Sequence, residues 1–299
     1  MFRAALSDEF AGLKLHIFEE IDSTNLEAKR AVGNADADAA AVEKAQLPAL
    51  FFASRQTAGR GRLGRSFHAP DGLYFSVVFE PGFTPKKLAL VTVAAAVAVV
   101  ESIDEVCGVQ GGEEQNRAAI KWVNDIYYNG LKVCGILSEG VPGAPGFAAG
   151  NEAAMPTAIV VGIGINTSTE GFPDELKGVA GAVPGLDGDD EETAAKKVKL
   201  VARITEKMLG FARELAEPDG EGVPAFLDVY RERSMLIGRD VKVYKGAYRK
   251  DPTVELGGVP ARVLGIDDEG GLEVIYTDGS REVLTYGEVS VRNIFTESS

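Results

Sequence analysis

Cysteine is nearly absent from this chain: Cys107 and Cys134 are the only two among 299 residues. Two thiols cannot build a disulfide framework, and nothing has the spacing of a zinc quartet. No apolar stretch is long enough for a membrane span. The longest nearly uninterrupted run, Leu88–Val100 between Lys87 and Glu101, would make roughly 20 Å of helix against the ~30 Å hydrocarbon core of a bilayer. Apolar on every side, it predicts a helix buried inside a domain. Met1–Leu15 carries Asp8 and Glu9 and lacks the basic-then-apolar plan of a signal peptide. The expectation is a soluble, cytoplasmic protein with no membrane partner. Positive charge is also short, with 31 Lys and Arg against 45 Asp and Glu and a net charge of −14. Duplex DNA is therefore a poor partner, because neutralising phosphates needs a basic face.

What is present is a globular composition, 45% hydrophobic and 25% charged, at about twice the usual single-domain length. The cations are unevenly placed. Between Lys44 and Pro70 stand Lys44, Arg55, Arg60, Arg62 and Arg65 with no carboxylate, so the remaining 26 cations and 45 anions carry −19. Such a glycine-punctuated basic segment in an acidic protein suggests a local site for a small anion.

Alternation and turn signals predict strands at His16–Ile21, Leu50–Ser54 and Leu73–Phe79, with Asp22–Asn25 as possible N-caps for a helix over Leu26–Val32. The apolar helix follows at about 86–104. Cys107–Arg117 reads as a polar loop. Ala119–Trp122 and Tyr127–Leu137 read as strands, the latter broken by an Asn129-Gly130 turn. Val141–Pro156 has no periodicity and is expected to be a mobile surface loop between Lys132–Glu139 and Thr157–Ile163. Gly171–Asp190 is loop-rich. Leu200, Ile204, Met208, Phe211 and Leu215 form a helical stripe opened by an Asp189–Glu192 capping pair, and Val223–Ser234 makes a shorter helix. From Leu236 the period changes to two at Val241/Val243, Ala261/Val263, Leu272/Val274/Tyr276 and Val283. Turns are expected at Asp267–Gly271 and Asp278-Gly279, in a small β-barrel. The domains are expected to be 1–235 and 236–299.

Three segments carry chemistry. Gly59-Arg-Gly-Arg-Leu-Gly-Arg65 has glycines that let backbone approach an anion. A strand rather than a helix follows it, and no Gly-Lys-Ser/Thr closes it, so it is neither a dinucleotide fingerprint nor a P-loop. Its guanidiniums suit carboxylate or phosphate oxygens. Lys121-Trp-Val-Asn-Asp-Ile126 sets an ammonium at a strand end, with Asn124 and Asp125 as oxygen ligands or turn formers. Val160-Val-Gly-Ile-Gly-Ile-Asn166 places glycines inside a strand, a sign of close approach by a ligand or another backbone, or of a bulge.

Ser23-Thr24-Asn25, Gln56 before Gly59–Arg65, Lys121–Ile126, Cys134-Gly-Ile-Leu-Ser-Glu139 and Gly162-Ile-Gly-Ile-Asn166 occur in the order and spacing of the biotin–protein ligases. Gly287–Arg292 resembles that family's C-terminal β-domain. The resemblance runs from about His16 to the C-terminus. It implies an α+β fold: a mixed β-sheet with flanking helices similar to class II aminoacyl-tRNA synthetases, plus an SH3-like C-terminal barrel. Only 22 residues precede Ser23, so the chain resembles the monofunctional type without a DNA-binding domain. The implied reaction joins biotin and ATP into biotinyl-5′-AMP, then moves biotin to a lysine of a biotin carboxyl carrier protein. No nucleophilic side chain is required, in keeping with His16 and His68 being the only histidines. A lipoate or octanoate ligase of the same fold, or a non-catalytic biotin or nucleotide sensor, is the alternative.

By the same resemblance, Ser23, Thr24, Asn25 and Gln56 hydrogen-bond the ureido ring, and Arg60-Gly61-Arg62 close over biotin and the adenylate. Lys121 contacts the carboxylate, with Lys121 and Arg62 the catalytic pair, while Arg62, Arg65 and Asn166 bind the nucleotide. Mg2+ is expected with ATP. No protein ligand is assigned to it, Asp125 being the one candidate. A homodimer is compatible with the resemblance. Residues 59–66 are expected to be mobile until ligand orders them. Three departures touch details: Val123 where Pro is frequent, Phe67 where Trp is common, and His68-Ala69 in place of small polar residues. Taken singly, Ser23–Asn25 could be helix caps, and Cys134 and Leu63 are expected to be packing residues.

Overall fold

The computed structural model describes residues 2–33, 46–61, 71–108, 117–142, 155–217, 222–245, 258–285 and 289–293. After a short helix α1 (Phe2–Ala5), the chain builds β1 (Lys14–Ile21), α2 (Thr24–Val32), β2 (Ala49–Gln56) and β3 (Gly72–Phe79). Helix α3 (Leu88–Cys107) precedes β4 (Ala119–Lys121), β5 (Asp125–Tyr128), β6 (Leu131–Val141) and β7 (Ala158–Asn166). These strands form one seven-stranded sheet in the order β1-β2-β3-β7-β6-β5-β4. β1 and β2 are parallel, joined through α2, and every other pair is antiparallel. The sheet is therefore mixed, as expected.

Its two faces are chemically different. One carries Phe75, Val77, Ile163, Ile136 and Ile126 into the main core with α3 and the long helix α4 (Glu191–Ala216). From Leu90 to Val100 every residue of α3 is buried, as the all-round apolar run predicts. Its one buried hydroxyl there, Thr92, lies 2.9 Å from the Ser138 hydroxyl on β6, so no polar atom is stranded. On the other face α2 packs through Ala28 and Val32 against Phe51, Val78 and Val160.

Leu200, Ile204, Met208 and Leu215 are buried on α4, and Phe211 packs tilted against Phe226 at 5.0 Å. The cap is one residue later than the expected Asp189. Asp190 takes the N-cap, its carboxylate accepting from the Thr193 backbone N–H at 3.0 Å and hydroxyl at 2.7 Å. Two aspartates in a row offer caps, and the hydroxyl three residues on selects Asp190. Asp190→Ala is expected to lower stability through the lost cap, read as a shifted denaturant midpoint with unchanged slope.

Helix α5 (Ala225–Glu232) leads to a second sheet, β8 (Asp240–Lys245), β9 (Val259–Ile266), β10 (Leu272–Tyr276), β11 (Arg281–Leu284) and β12 (Val289–Asn293). It is antiparallel throughout, in the order β11-β10-β9-β8-β12. Val241, Val243, Ala261, Val263, Leu272 and Val274 face its core, as the period predicts. Val283 does not: it is 43% exposed, while Leu284 is buried. Pairing of Leu284 with buried Leu272 turns the even positions of β11 inward, a register the local sequence does not reveal. The Asn129-Gly130 turn holds, with φ of 49° and 76°, the left-handed pair a two-residue hairpin needs. The strands beside it differ in extent from expectation: β4 stops at Lys121 because Trp122 opens a turn. The expected loop at 141–156 falls largely at 143–154, outside the described residues.

Candidate active site

Ser23, Thr24 and Asn25 open α2 and are only 2%, 4% and 3% exposed. Buried polar groups are costly unless hydrogen-bonded, and here Thr24 and Asn25 join a network. Ser23 occupies the N-cap but makes no side-chain capping bond, and Thr24 and Asn25 lie in the first turn, so capping does not explain the triplet. The Thr24 backbone N–H donates to Gln56 Oε1 at 2.8 Å, with the Thr24 hydroxyl 3.2 Å from the same oxygen. Ser76 Oγ on β3 lies 2.8 Å from Thr24 Oγ1 and donates to Asn25 Oδ1 at 2.6 Å. Asn25 Nδ2 donates to Leu137 O at 3.2 Å and to Glu139 Oε2 at 2.8 Å. The other Glu139 oxygen pairs with Lys29. Ahead of the helix, the Arg30 guanidinium holds the Asp22 carboxyl below its ordinary range.

Gly162 on β7 explains how Asn25 fits. A Cβ there would stand 2.0 Å from Asn25 Oδ1. The close approach expected of a strand glycine is thus made by a side chain of α2.

Register extends this face of the sheet. Ala53 pairs with Tyr74, Tyr74 with Gly164, Gly164 with Gly135, Gly135 with Asp125, and Asp125 with Lys121. Directly opposed residues project to the same face, so Lys121 emerges on the side that carries α2 and Asn25. Gly164 and Gly135 leave the backbone bare between them, half-exposed among buried Ile163, Ile165, Cys134 and Ile136. The result is a glycine-floored trough. From Ser76 on β3 to Lys121 on β4 is four strand spacings, roughly 19 Å, narrowed by a long lysine side chain.

Lys121 itself is well anchored at its backbone. The Ile120 N–H donates to Arg233 O at 2.7 Å, and Met235 N–H donates back to Ile120 O at 3.0 Å. Trp122 Nε1 donates to Gly270 O of the second sheet at 3.0 Å, and the Tyr230 hydroxyl to Val123 O at 3.0 Å. Lys121 Nζ sits 5.7 Å from the Tyr127 ring centroid. Burial, helped by Asp125, pushes the Tyr127 phenol up to about 12, so the ring stays neutral beneath the ammonium.

Asn124 and Asp125 are both bonded within the chain. Asn124 is a brace, buried and donating to Ile136 O at 2.6 Å. Asp125 is paired with Lys132 at 2.6 Å. Among the described residues no three metal-ligating side chains converge. Asn166, at the end of β7, donates through Nδ2 to Gly181 O at 2.8 Å, and its buried Oδ1 has no partner among the described residues. The backbone after β2 stays beside the triplet: Thr57 N–H donates to Ile21 O and Ala58 N–H to Asp22 O, both at 2.9 Å. Exposed Arg60 and half-buried Gly61 follow. Arg62, Leu63, Arg65, Phe67, His68 and Ala69 lie outside the described residues, as does most of the segment expected to be mobile. Cys134 is buried among apolar neighbours, which push its thiol up and leave it a packing residue.

Residues 22–150, from the triplet to beyond Lys121, match the model of the biotin/lipoate A/B protein ligase family. This part of the chain resembles that family. Among the ligases it resembles, the bifunctional ligase/repressor BirA of Bacillus subtilis is 28% identical over 94% of this chain and 75% of its own length. The biotin–[acetyl-CoA-carboxylase] ligase of Paracoccus denitrificans is 29% identical over 90% of this chain and 96% of its own. In structure, the biotin protein ligase of Aquifex aeolicus in complex with biotin and ATP superposes with a TM-score of 0.65 over 94% of this chain and 99% of that one, at 24% identity.

Two residues of this site carry no role in the sequence reading, Ser76 and Glu139. Each left a trace. Ser76 is a hydroxyl within the apolar run Leu73–Phe79, and Glu139 closes the Cys134–Glu139 segment.

Proposed function

We infer that this chain is a biotin–protein ligase, which activates biotin with ATP to biotinyl-5′-AMP and passes biotin to a lysine of a biotin carboxyl carrier protein. The observation that carries this reading is the network of buried Thr24 and Asn25 with half-buried Gln56, beside buried Ser23, on the same sheet face as Lys121, across a floor of glycines. A ureido ring offers N–H donors and a carbonyl acceptor to such a network. A lipoyl or octanoyl group offers neither and would leave buried polar atoms unpaired, the condition under which a site rejects a ligand most strongly.

In the first step a biotin carboxylate oxygen attacks the α-phosphorus, and the bond from phosphorus to pyrophosphate breaks. Two unit charges about 4 Å apart repel by roughly 4 kcal/mol at an effective dielectric of 20. At about 1.4 kcal/mol per decade, that is near three orders of magnitude in rate. We assign relief of this repulsion to Lys121, with Arg62 from the Gly59–Arg65 segment. In the second step the carrier lysine amine attacks the anhydride carbonyl, the acyl C–O bond breaks, and AMP and a proton leave.

Arg60 and Gly61 are assigned to biotin and Arg65 to the nucleotide. Asn166 Oδ1, a buried acceptor awaiting a donor, suits an N–H of the base. Asp125, held by Lys132, does not make a Mg2+ cage with its described neighbours. We read 1–235 as the catalytic domain, akin to class II aminoacyl-tRNA synthetases, and 236–299 as an SH3-like barrel. No described helix is long and apolar enough to cross a membrane. An ATP-consuming reaction on a carrier protein suits the cytoplasm, and the reading invokes neither nucleic acid nor a second copy.

The test supplies biotin, lipoate and octanoate separately with Mg-ATP and follows ATP–pyrophosphate exchange, then adds a biotin carboxyl carrier domain and weighs it. Exchange with biotin and a biotinylated carrier are expected. Exchange with lipoate but not biotin, or no modified carrier, would overturn the reading.

A further inference from the structure

The Asn25 amide is held in one orientation by groups that can only accept. Nδ2 faces a backbone carbonyl, Leu137 O at 3.2 Å, and a carboxylate, Glu139 Oε2 at 2.8 Å. Neither could meet an amide oxygen favourably. Oδ1 is thereby turned to Ser76 Oγ at 2.6 Å and the bare backbone of Gly162. The Leu137 carbonyl alone would satisfy one Nδ2 hydrogen; the carboxylate takes the other and fixes the amide against a flip. Lys29, one turn after Asn25 on α2, pairs with the other Glu139 oxygen. Glu139 therefore grips two successive turns of α2 from β6.

We propose that Glu139 is a positioning residue for substrate selection: it fixes Asn25 as an acceptor toward the head group, and so selects an acid whose head group carries N–H donors. The proposal rests on the biotin reading above and names which residue gives that site its polarity. Ser76 secures the same oxygen from the other side. Glu139 acts through Asn25, so its effect must vanish when the Asn25 amide is gone, whereas Ser76 also meets Thr24 Oγ1 at 2.8 Å and keeps that part of its effect.

The experiment measures KM for biotin, KM for ATP and kcat by ATP–pyrophosphate exchange in Glu139→Gln, Ser76→Ala and Asn25→Ala, and in each pair combined with Asn25→Ala. Thermal unfolding checks the fold. A glutamine at 139 can present either N–H or oxygen, so the Asn25 amide loses its fixed polarity. Glu139→Gln is expected to raise KM for biotin about tenfold in the wild-type background and less than twofold in the Asn25→Ala background, with KM for ATP within twofold. Ser76→Ala, a smaller change, is expected to lose most of its effect on KM for biotin in the Asn25→Ala background, its Thr24 contact accounting for the rest, and stands in if Glu139→Gln does not fold. An unchanged KM for biotin, or an increase that persists without Asn25, would overturn the proposal. Wild-type protein without biotin-dependent exchange would instead overturn the functional reading.

Discussion

Gly162→Ala is expected to weaken biotin binding by a hundredfold or more while leaving the two sheets assembled. The new Cβ would lie 2.0 Å from Asn25 Oδ1, 2.7 Å from its Cγ and 2.9 Å from its Nδ2, distances no side chain tolerates. Asn25 has little room to retreat. Its nitrogen is tethered to Leu137 and Glu139, and its helix is seated by Ala28 and Val32, both fully buried. Rotation of the side chain would abandon Ser76 and the carboxylate, leaving buried groups unpaired at roughly 1–3 kcal/mol each. Shifting α2 would open its packing on Phe51 and Val160. Either route moves the triplet away from its ligand. Calorimetric titration of biotin, with thermal unfolding alongside, checks this. A dissociation constant within a few-fold of wild type would mean that Asn25 takes no part in holding biotin.

Much of the architecture is legible in the sequence because its signals are local. Alternation marks the strands, the Asn129-Gly130 pair marks its turn, and an all-round apolar run marks a buried helix. The errors are also local in origin. Two consecutive aspartates, Asp189 and Asp190, each fit a cap, and the Thr193 hydroxyl decides between them. Val283 lies in a strand whose facing is set by pairing with β10. The site divides in the same way. Its polar residues stand out in motifs, but what joins them does not. Ser76 meets Asn25 across 51 residues and Glu139 across 114. That Lys121 shares a face with the triplet follows only from the register of six strands. Each step of that register preserves the face, and a slip of one residue at any step would turn the lysine into the core.

That register gives Lys121→Ala its meaning as the largest single effect on chemistry. Adenylate formation is expected to fall by about three orders of magnitude, the factor assigned to unscreened charge repulsion. Stability should change little. Lys121 is half-buried at the end of a three-residue strand, and β4 is held by Ile120 against Arg233 and Met235 and by Trp122 against Gly270. None of these bonds uses the lysine side chain. Biotin-dependent ATP–pyrophosphate exchange reads the first step, and transfer from preformed biotinyl-5′-AMP to the carrier reads the second. Lys121→Met, which keeps the stem over Tyr127 but not the charge, should match the alanine variant in exchange if the ammonium is what matters. Wild-type pyrophosphate release in Lys121→Ala would remove this side chain from the mechanism. Full activity in Lys121→Met alone would assign it a packing role against the ring.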